Sequence, residues 1–314
     1  MPSGFVWDPA GPDRALAQAV MELKAQRAGL ARESLRECRR DYSVRSHRSL
    51  LLASAAAGTD LAETWLEEDP QNSDAKLLYA RVAMVRALRS READDGRESG
   101  LALIAWRAAV TAIEAAPWDP TPWAVLIAIA RHRPDVDRAR PYGRTPPPQG
   151  LDALGPWDLL TEAHARQPWH RESYHRMLAY FFPRYGGDSD GLWQVASWAV
   201  AVSPPDSDAQ LLPLVAQAEQ ARTGVSHLAQ DYAARTAAHI YAHWFPGITK
   251  QSFPPIADLS LLAHALDRGG RAAEAGAVLE FMSPYAASFP WSLDGRDPAR
   301  VLAGAYARSA IRPP

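Results

Sequence analysis

Trp65-Leu66-Glu67-Glu68-Asp69-Pro70, followed at once by Ser73-Asp74-Ala75, decides the fold. The first six residues read as the last turns of an amphipathic helix running into a proline, which has no N–H to give and cannot continue the helix. A few polar residues later, Ser73 and Asp74 are of the type that starts the next one. The same unit returns as Ala116-Pro117-Trp118-Asp119-Pro120, as Gln167-Pro168-Trp169-His170 and as Ser203-Pro204-Pro205-Asp206. A chain built from such units is a stack of helix pairs, an architecture that commonly presents a binding surface.

Outward from these junctions helical periodicity dominates, and no segment alternates long enough to form a strand. The spacing predicts an all-α chain. It places one outer helix over Asp13 to Cys38 and further helices over residues 50–57, 61–68, 75–88 and 101–115. Nine more follow at about 123–131, 157–166, 172–182, 192–202, 209–221, 228–244, 257–267, 272–281 and 299–309. Asp119-Pro120 and Asp297-Pro298 are strong start signals, because the carboxylate accepts free first-turn N–H groups while proline loses nothing there. The expected arrangement is a degenerate superhelix of about seven helix pairs, its junction prolines at 70, 117, 168 and 204 being too unevenly spaced for a regular array. Arg133 to Leu154, rich in Pro and Gly, interrupts the pattern. It predicts N-terminal repeats over 1–132, a loop or linker over 133–155 and C-terminal repeats over 156–314, or one continuous superhelix.

Composition narrows the function classes. With 314 residues and 47% hydrophobic content the chain can bury a continuous core. A formal charge of -2 removes any global electrostatic case for nucleic acid or anionic membrane. The single cysteine, Cys38, forms no intramolecular disulfide, and the Met1 to Pro9 segment has neither the basic nor the apolar region of a secretory signal. No apolar run approaches a membrane span. These features make the cytoplasm the expected location. All but three of the 34 basic residues are arginine. Alongside abundant Ala, Gly and Pro, this bias looks like the output of a high-GC genome rather than a mark of recognition.

Leu262-Ala263, Ala265-Leu266, Gly270-Arg271, Glu274-Ala275 and Val278-Leu279 together resemble the helix-turn-helix core of a tetratricopeptide repeat. Small residues let the two helices approach and the glycine supplies a positive φ that closes the first. Trp65-Leu66 before Pro70, Pro117-x-Asp119-Pro120-x-Pro122-Trp123 and Arg184-Tyr185-Gly186-Gly187 resemble a helical domain of unknown function from actinobacteria in the wider tetratricopeptide-like superfamily. That resemblance runs from the first helix to about Arg222. It implies a superhelix with a concave groove for a peptide or partner domain and carries no activity.

Several constellations could do chemistry. His239 and His243 lie four apart on one helix face, a spacing that lets both reach one metal. Ile240 occupies the place where zinc peptidases of this spacing have their glutamate base, so that reading fails, and His227, His264 and Asp231 are the candidates for a third ligand. Ordinary helix-surface histidines are the preferred reading. His164, His170 and His175 flank Pro168-Trp169 near Glu162 and Glu172, a pattern that suits proton transfer in a cleft or, preferably, a polar turn. Arg184 to Ser189 could bind an anion at a helix start, or simply stop one helix and cap the next. Lys24 to Arg48 carries eight basic residues against three acidic ones, with Arg32, Arg36, Arg39 and Arg40 able to form a stripe. A solvated, partly paired face is preferred there, and salt-dependent binding would mark the alternative.

The 11 tryptophans either cement helix pairs or anchor a ligand. If a groove exists, Tyr79, Trp123, Trp169, His170, Tyr174, Arg184, Tyr185, Trp193 and Trp198 are the residues expected to line it, since they belong to the helices beside the proline junctions. The leading expectation is therefore a cytoplasmic scaffold or adaptor for a protein or peptide partner, with no cofactor and no catalytic set assigned. The alternative is a small-molecule enzyme or effector-binding regulator with a cavity between the halves lined by Trp, Tyr, His and Arg.

Overall fold

The computed structural model describes residues 4–132, 146–222, 230–249 and 253–309. Fifteen α-helices account for its regular structure, and the described residues contain no strand beyond an isolated parallel bridge between Val6 and Tyr285. None of the described helices is long and apolar enough to cross a membrane.

The chain divides into two compact units, Arg14–Phe181 and Met1–Asp13 with Phe182–Pro314. The two units part at Phe181, and the two helices that follow residues 133–155 pack on the one before them. Residues 133–145 of the expected linker lie outside the described residues.

The Arg14–Phe181 unit holds α1 (Arg14–Lys24), α2 (Gly29–Glu37), α3 (Tyr42–Ala56), α4 (Leu61–Glu68), α5 (Ser73–Ala93), α6 (Glu98–Ala115), α7 (Thr121–Ala128), α8 (Trp157–Arg166) and α9 (Arg171–Tyr180). The single outer helix expected over Asp13 to Cys38 is in fact two. Gln26 adopts φ 62, the left-handed region, which turns the chain back so that α1 and α2 pack together. The one glycine near that break is Gly29, which opens α2.

Asn72 starts α5, its side chain accepting from the Asp74 and Ala75 backbones at 2.9 and 3.4 Å. α5 packs against α2, α3, α4, α6 and α7, and α7 is buried from Thr121 to Ile127. These two helices form the interior of the unit. Asp119 accepts from the Thr121 N–H at 2.8 Å, as the Asp-Pro signal predicts.

The second unit holds α10 (Ser189–Val202), α11 (Leu212–Arg222), α12 (Gln230–His243), α13 (Ile256–Arg268), α14 (Ala272–Met282) and α15 (Pro298–Arg308). Its core joins Leu211, Ile240, Leu262, Val278, Trp291 and Tyr306 with neighbouring apolar residues. The α13–α14 turn uses both its glycines. Gly270 takes φ 74, and a Cβ on Gly269 would lie 2.8 Å from the Cβ of Ala234 on α12. The N-terminal segment closes this unit: Val6 N–H donates to the Pro284 carbonyl at 2.8 Å, and Phe5 packs on Tyr306 of α15 with ring centroids 5.4 Å apart.

Candidate functional site

In the Arg14–Phe181 unit the sequence candidates turn inward. Trp123, His170 and Tyr174 are buried, while Tyr79 and Trp169 are half-buried. The Arg166 guanidinium lies 4.6 Å over the Trp123 ring and donates to the Pro117 carbonyl at 2.6 Å. Trp169, at φ 59, packs its ring on His164 and Tyr174, with centroids 5.0 and 5.1 Å away. The Trp169 backbone N–H reaches His164 Nδ1 at 3.5 Å and can only donate, so Nδ1 accepts and the Tyr174 hydroxyl donates to it at 2.7 Å. Burial pushes the His164 pKa down and that of Tyr174 up. His170 uses other partners: its Nδ1 lies 2.8 Å from Ser173 Oγ. His164 and His170 therefore engage different partners.

Beneath these aromatics runs a buried charge network. Arg81, fully buried, holds Glu172 with both guanidinium ends, one of them at 2.6 Å, and donates to Ser49 Oγ at 3.2 Å. Ser46 Oγ donates to the same carboxylate and Arg176 approaches it to 3.1 Å. Burial raises the Glu172 pKa, but Arg81, its hydrogen bonds and Arg176 outweigh that and hold the carboxyl far below the usual carboxylate range. Arg45 bridges Asp119 at 2.7 Å and Asp74 at 2.8 Å, and Arg39 closes on Asp74 at 2.6 Å. These arrays join helices distant in sequence. The basic stripe expected between Lys24 and Arg48 is largely consumed in the same way, through Arg32–Glu68, Arg36–Glu33, Arg39–Asp74 and Arg48–Glu37 pairs.

In the second unit Arg184 is committed to Glu219 at 2.9 Å and lies over the rings of Tyr185 and Phe182. Gly186 takes φ 79 and Asp188 accepts from the Gly191 N–H at 2.6 Å, so this stretch ends one element and caps α10. Trp193 and Trp198 are half-buried on α10, Trp193 packing edge-on to Tyr232 of α12. His239 and His243 stand exposed with ring centroids 4.4 Å apart. No group of three potential metal ligands occurs among the described residues, and His227 and the Asp231 side chain lie outside them. The nine groove candidates are thus shared between two units, five in one and four in the other.

The same unit contains a cleft of about 730 Å³ between α13 and α15. α13 contributes His264, Asp267 and Arg268, spaced three and four apart on one helical face. α15 contributes Arg300, Val301, Gly304 and Arg308, again one face, and its capping residue Asp297 joins them. The connecting segment supplies Trp291, Leu293 and Arg296. Trp291 is fully buried, and the half-buried His264 stands edge-on to it with centroids 5.1 Å apart, so the imidazole rather than the indole is the ring presented to the cleft. Arg308 crosses from α15 to Asp267 through two bonds of 2.8 and 2.7 Å. Gly304 makes that crossing possible, since a Cβ there would come within 3.3 Å of the Arg308 guanidinium.

Four arginines against two aspartates leave the lining with an excess of positive charge. The volume falls in the range typical of small-molecule sites, which combine an apolar wall with a few placed polar groups. The cleft's arginines were discounted at the level of sequence because arginine is common throughout the chain. Their signal was positional: His264 with Arg268, and Arg300 with Gly304 and Arg308, recur at one-turn spacing on two helices. No family model, no curated protein and no solved structure matches the chain.

Proposed function

We propose that this protein is an effector-binding regulator whose second unit holds a small molecule in the cleft between α13 and α15. The observation that carries the reading is the cleft itself: about 730 Å³, lined by His264, Leu293, Val301 and four arginines. It shares His and Arg with the cavity expected from sequence, but it lies within one unit rather than between the halves and its lining has no tyrosine. Binding rather than catalysis is favoured, because the lining offers no nucleophile paired with a base. On this reading α13 and α14 form a tetratricopeptide-like hairpin within a degenerate superhelix, and the protein works in the cytoplasm.

The test is native mass spectrometry of the purified chain beside Gly304→Leu, whose side chain would enter the cleft floor. The unaltered protein should carry a bound small molecule after dialysis against a metabolite extract, and G304L should not. If neither the mass nor the tryptophan fluorescence of the unaltered chain changes, the reading is wrong.

A scaffold role remains the second reading. It is favoured by Trp118, 78% exposed at the α6–α7 turn, where Arg166 fixes the Pro117 carbonyl beside it. An aromatic held open on a braced turn is the kind of anchor partner proteins use. Trp118→Ala should abolish capture of a defined peptide partner if this reading holds. It fails if every partner recovered binds W118A equally well.

A further inference from the structure

We propose that the ligand of the α13–α15 cleft is a small organic phosphate, a dianion with an apolar or aromatic body. The inference rests on the cleft being a ligand site and adds the chemical class that it takes. Three observations point the same way.

The first is which arginines are committed. Arg308 is bound to Asp267, whereas Arg268 and Arg296 form no ion pair among the described residues and Arg300 meets Asp297 only at 3.6 Å, while 90% exposed. Elsewhere in the chain arginines such as Arg27, Arg86, Arg97 and Arg271 close on carboxylates. Two guanidinium groups of the lining, those of Arg268 and Arg296, remain available to an incoming acceptor, and Arg300 is only loosely held. Guanidinium presents a planar fork that fits phosphate oxygens in pairs.

The second is charge balance. The two aspartates of the lining neutralise two of its four arginines, so two positive charges are left, which a phosphate monoester dianion matches and a single carboxylate does not. The third is shape. Leu293 and Val301 add apolar surface to the lining, and a cleft of about 730 Å³ is too large for inorganic phosphate alone to fill. The ligand thus has two parts, a dianionic head at the arginines and a body against Leu293 and Val301.

Isothermal titration calorimetry on the full chain tests this with four probes: phenyl phosphate, benzoate, phenol and inorganic phosphate. Phenyl phosphate should bind tightest, benzoate more weakly, and phenol and inorganic phosphate least. Arg268→Ala and Arg296→Ala should each weaken phenyl phosphate about 10-fold, the ratio that one lost charge-assisted bond of ordinary strength gives. Both residues are exposed, so their removal leaves the packing intact. Arg268→Lys should recover part of the loss, and added salt should weaken phenyl phosphate but not phenol. Phenol binding as tightly as phenyl phosphate, benzoate binding tighter, or R268A/R296A binding unchanged would each overturn the proposal. If phenyl phosphate fails to bind a chain that retains a different molecule in its native mass spectrum, the phosphate class is wrong and the cleft reading stands. If both are absent, the two fall together.

Discussion

Replacing His170 with asparagine should remove most of the acid sensitivity of the Arg14–Phe181 unit. The imidazole is 1% exposed, and burial pushes its pKa down to about 4 from an ordinary 6.5. Glu172 and Asp119 pull it upward, as does the backbone of Tyr42, while Arg81 adds to the depression. The fold therefore prefers the neutral ring. Its contribution to stability is complete above pH 6.5 and drains as the pH falls toward 4, because the unfolded chain takes up a proton that the folded chain refuses. Between pH 8 and pH 5 this single group costs about 2 kcal/mol, from the two pKa values and the linkage relation.

Glu172 acts in the same direction but later. Its folded pKa is depressed, so its contribution is lost only as the pH drops below the unfolded value of 4.5. At pH 5 only about a quarter of unfolded glutamates are protonated, so the histidine dominates that window. Urea unfolding of the unaltered chain and of H170N at both pH values checks this, followed through the transition of the first unit. The asparagine variant starts less stable, having changed the contact with Ser173, yet its loss on acidification should be smaller by about 2 kcal/mol. Equal losses in the two proteins would refute the reasoning, as would an NMR titration placing the His170 midpoint near 6.5.

Glu172→Gln should destabilise the same unit by about 3–5 kcal/mol in denaturant unfolding, because Arg81 is left buried without its counter-charge. The double variant R81L/E172L should recover much of that loss, since it removes both charges. Trp169 sits at φ 59, so Trp169→Gly should be more stable than Trp169→Ala by about 1–2 kcal/mol, a reversal of the usual order that calorimetry would reveal. Phe5→Ala should lower the stability of the second unit by about 3 kcal/mol, because Phe5 is the N-terminal segment's buried contact with Tyr306 of α15. The Arg14–Phe181 unit should be unmoved, a difference that separate unfolding transitions would report.

The helices and most of their ends were determined by the sequence alone, because local chemistry suffices for them. Residues 61–68 and 157–166 form helices over the expected spans, and Asp119-Pro120 and Asp297-Pro298 cap as that pairing must. Periodicity fails where the cause is not local. Gln26, not the neighbouring Gly29, takes the left-handed turn that breaks the first helix, and Trp169 holds a left-handed turn because the packing of His164 and Tyr174 around it stabilises that conformation. Tertiary structure alone decided which charges are buried. Arg81 and Glu172 lie 91 positions apart, and Arg45 and Asp119 lie 74 apart, so neither pair leaves any trace in local spacing. The same holds for the cleft: Gly304, Arg308 and Asp267 become one arrangement only when α15 lies beside α13. A sequence records which residues share a helix face, whereas the face that meets it is chosen by burial summed over the whole unit.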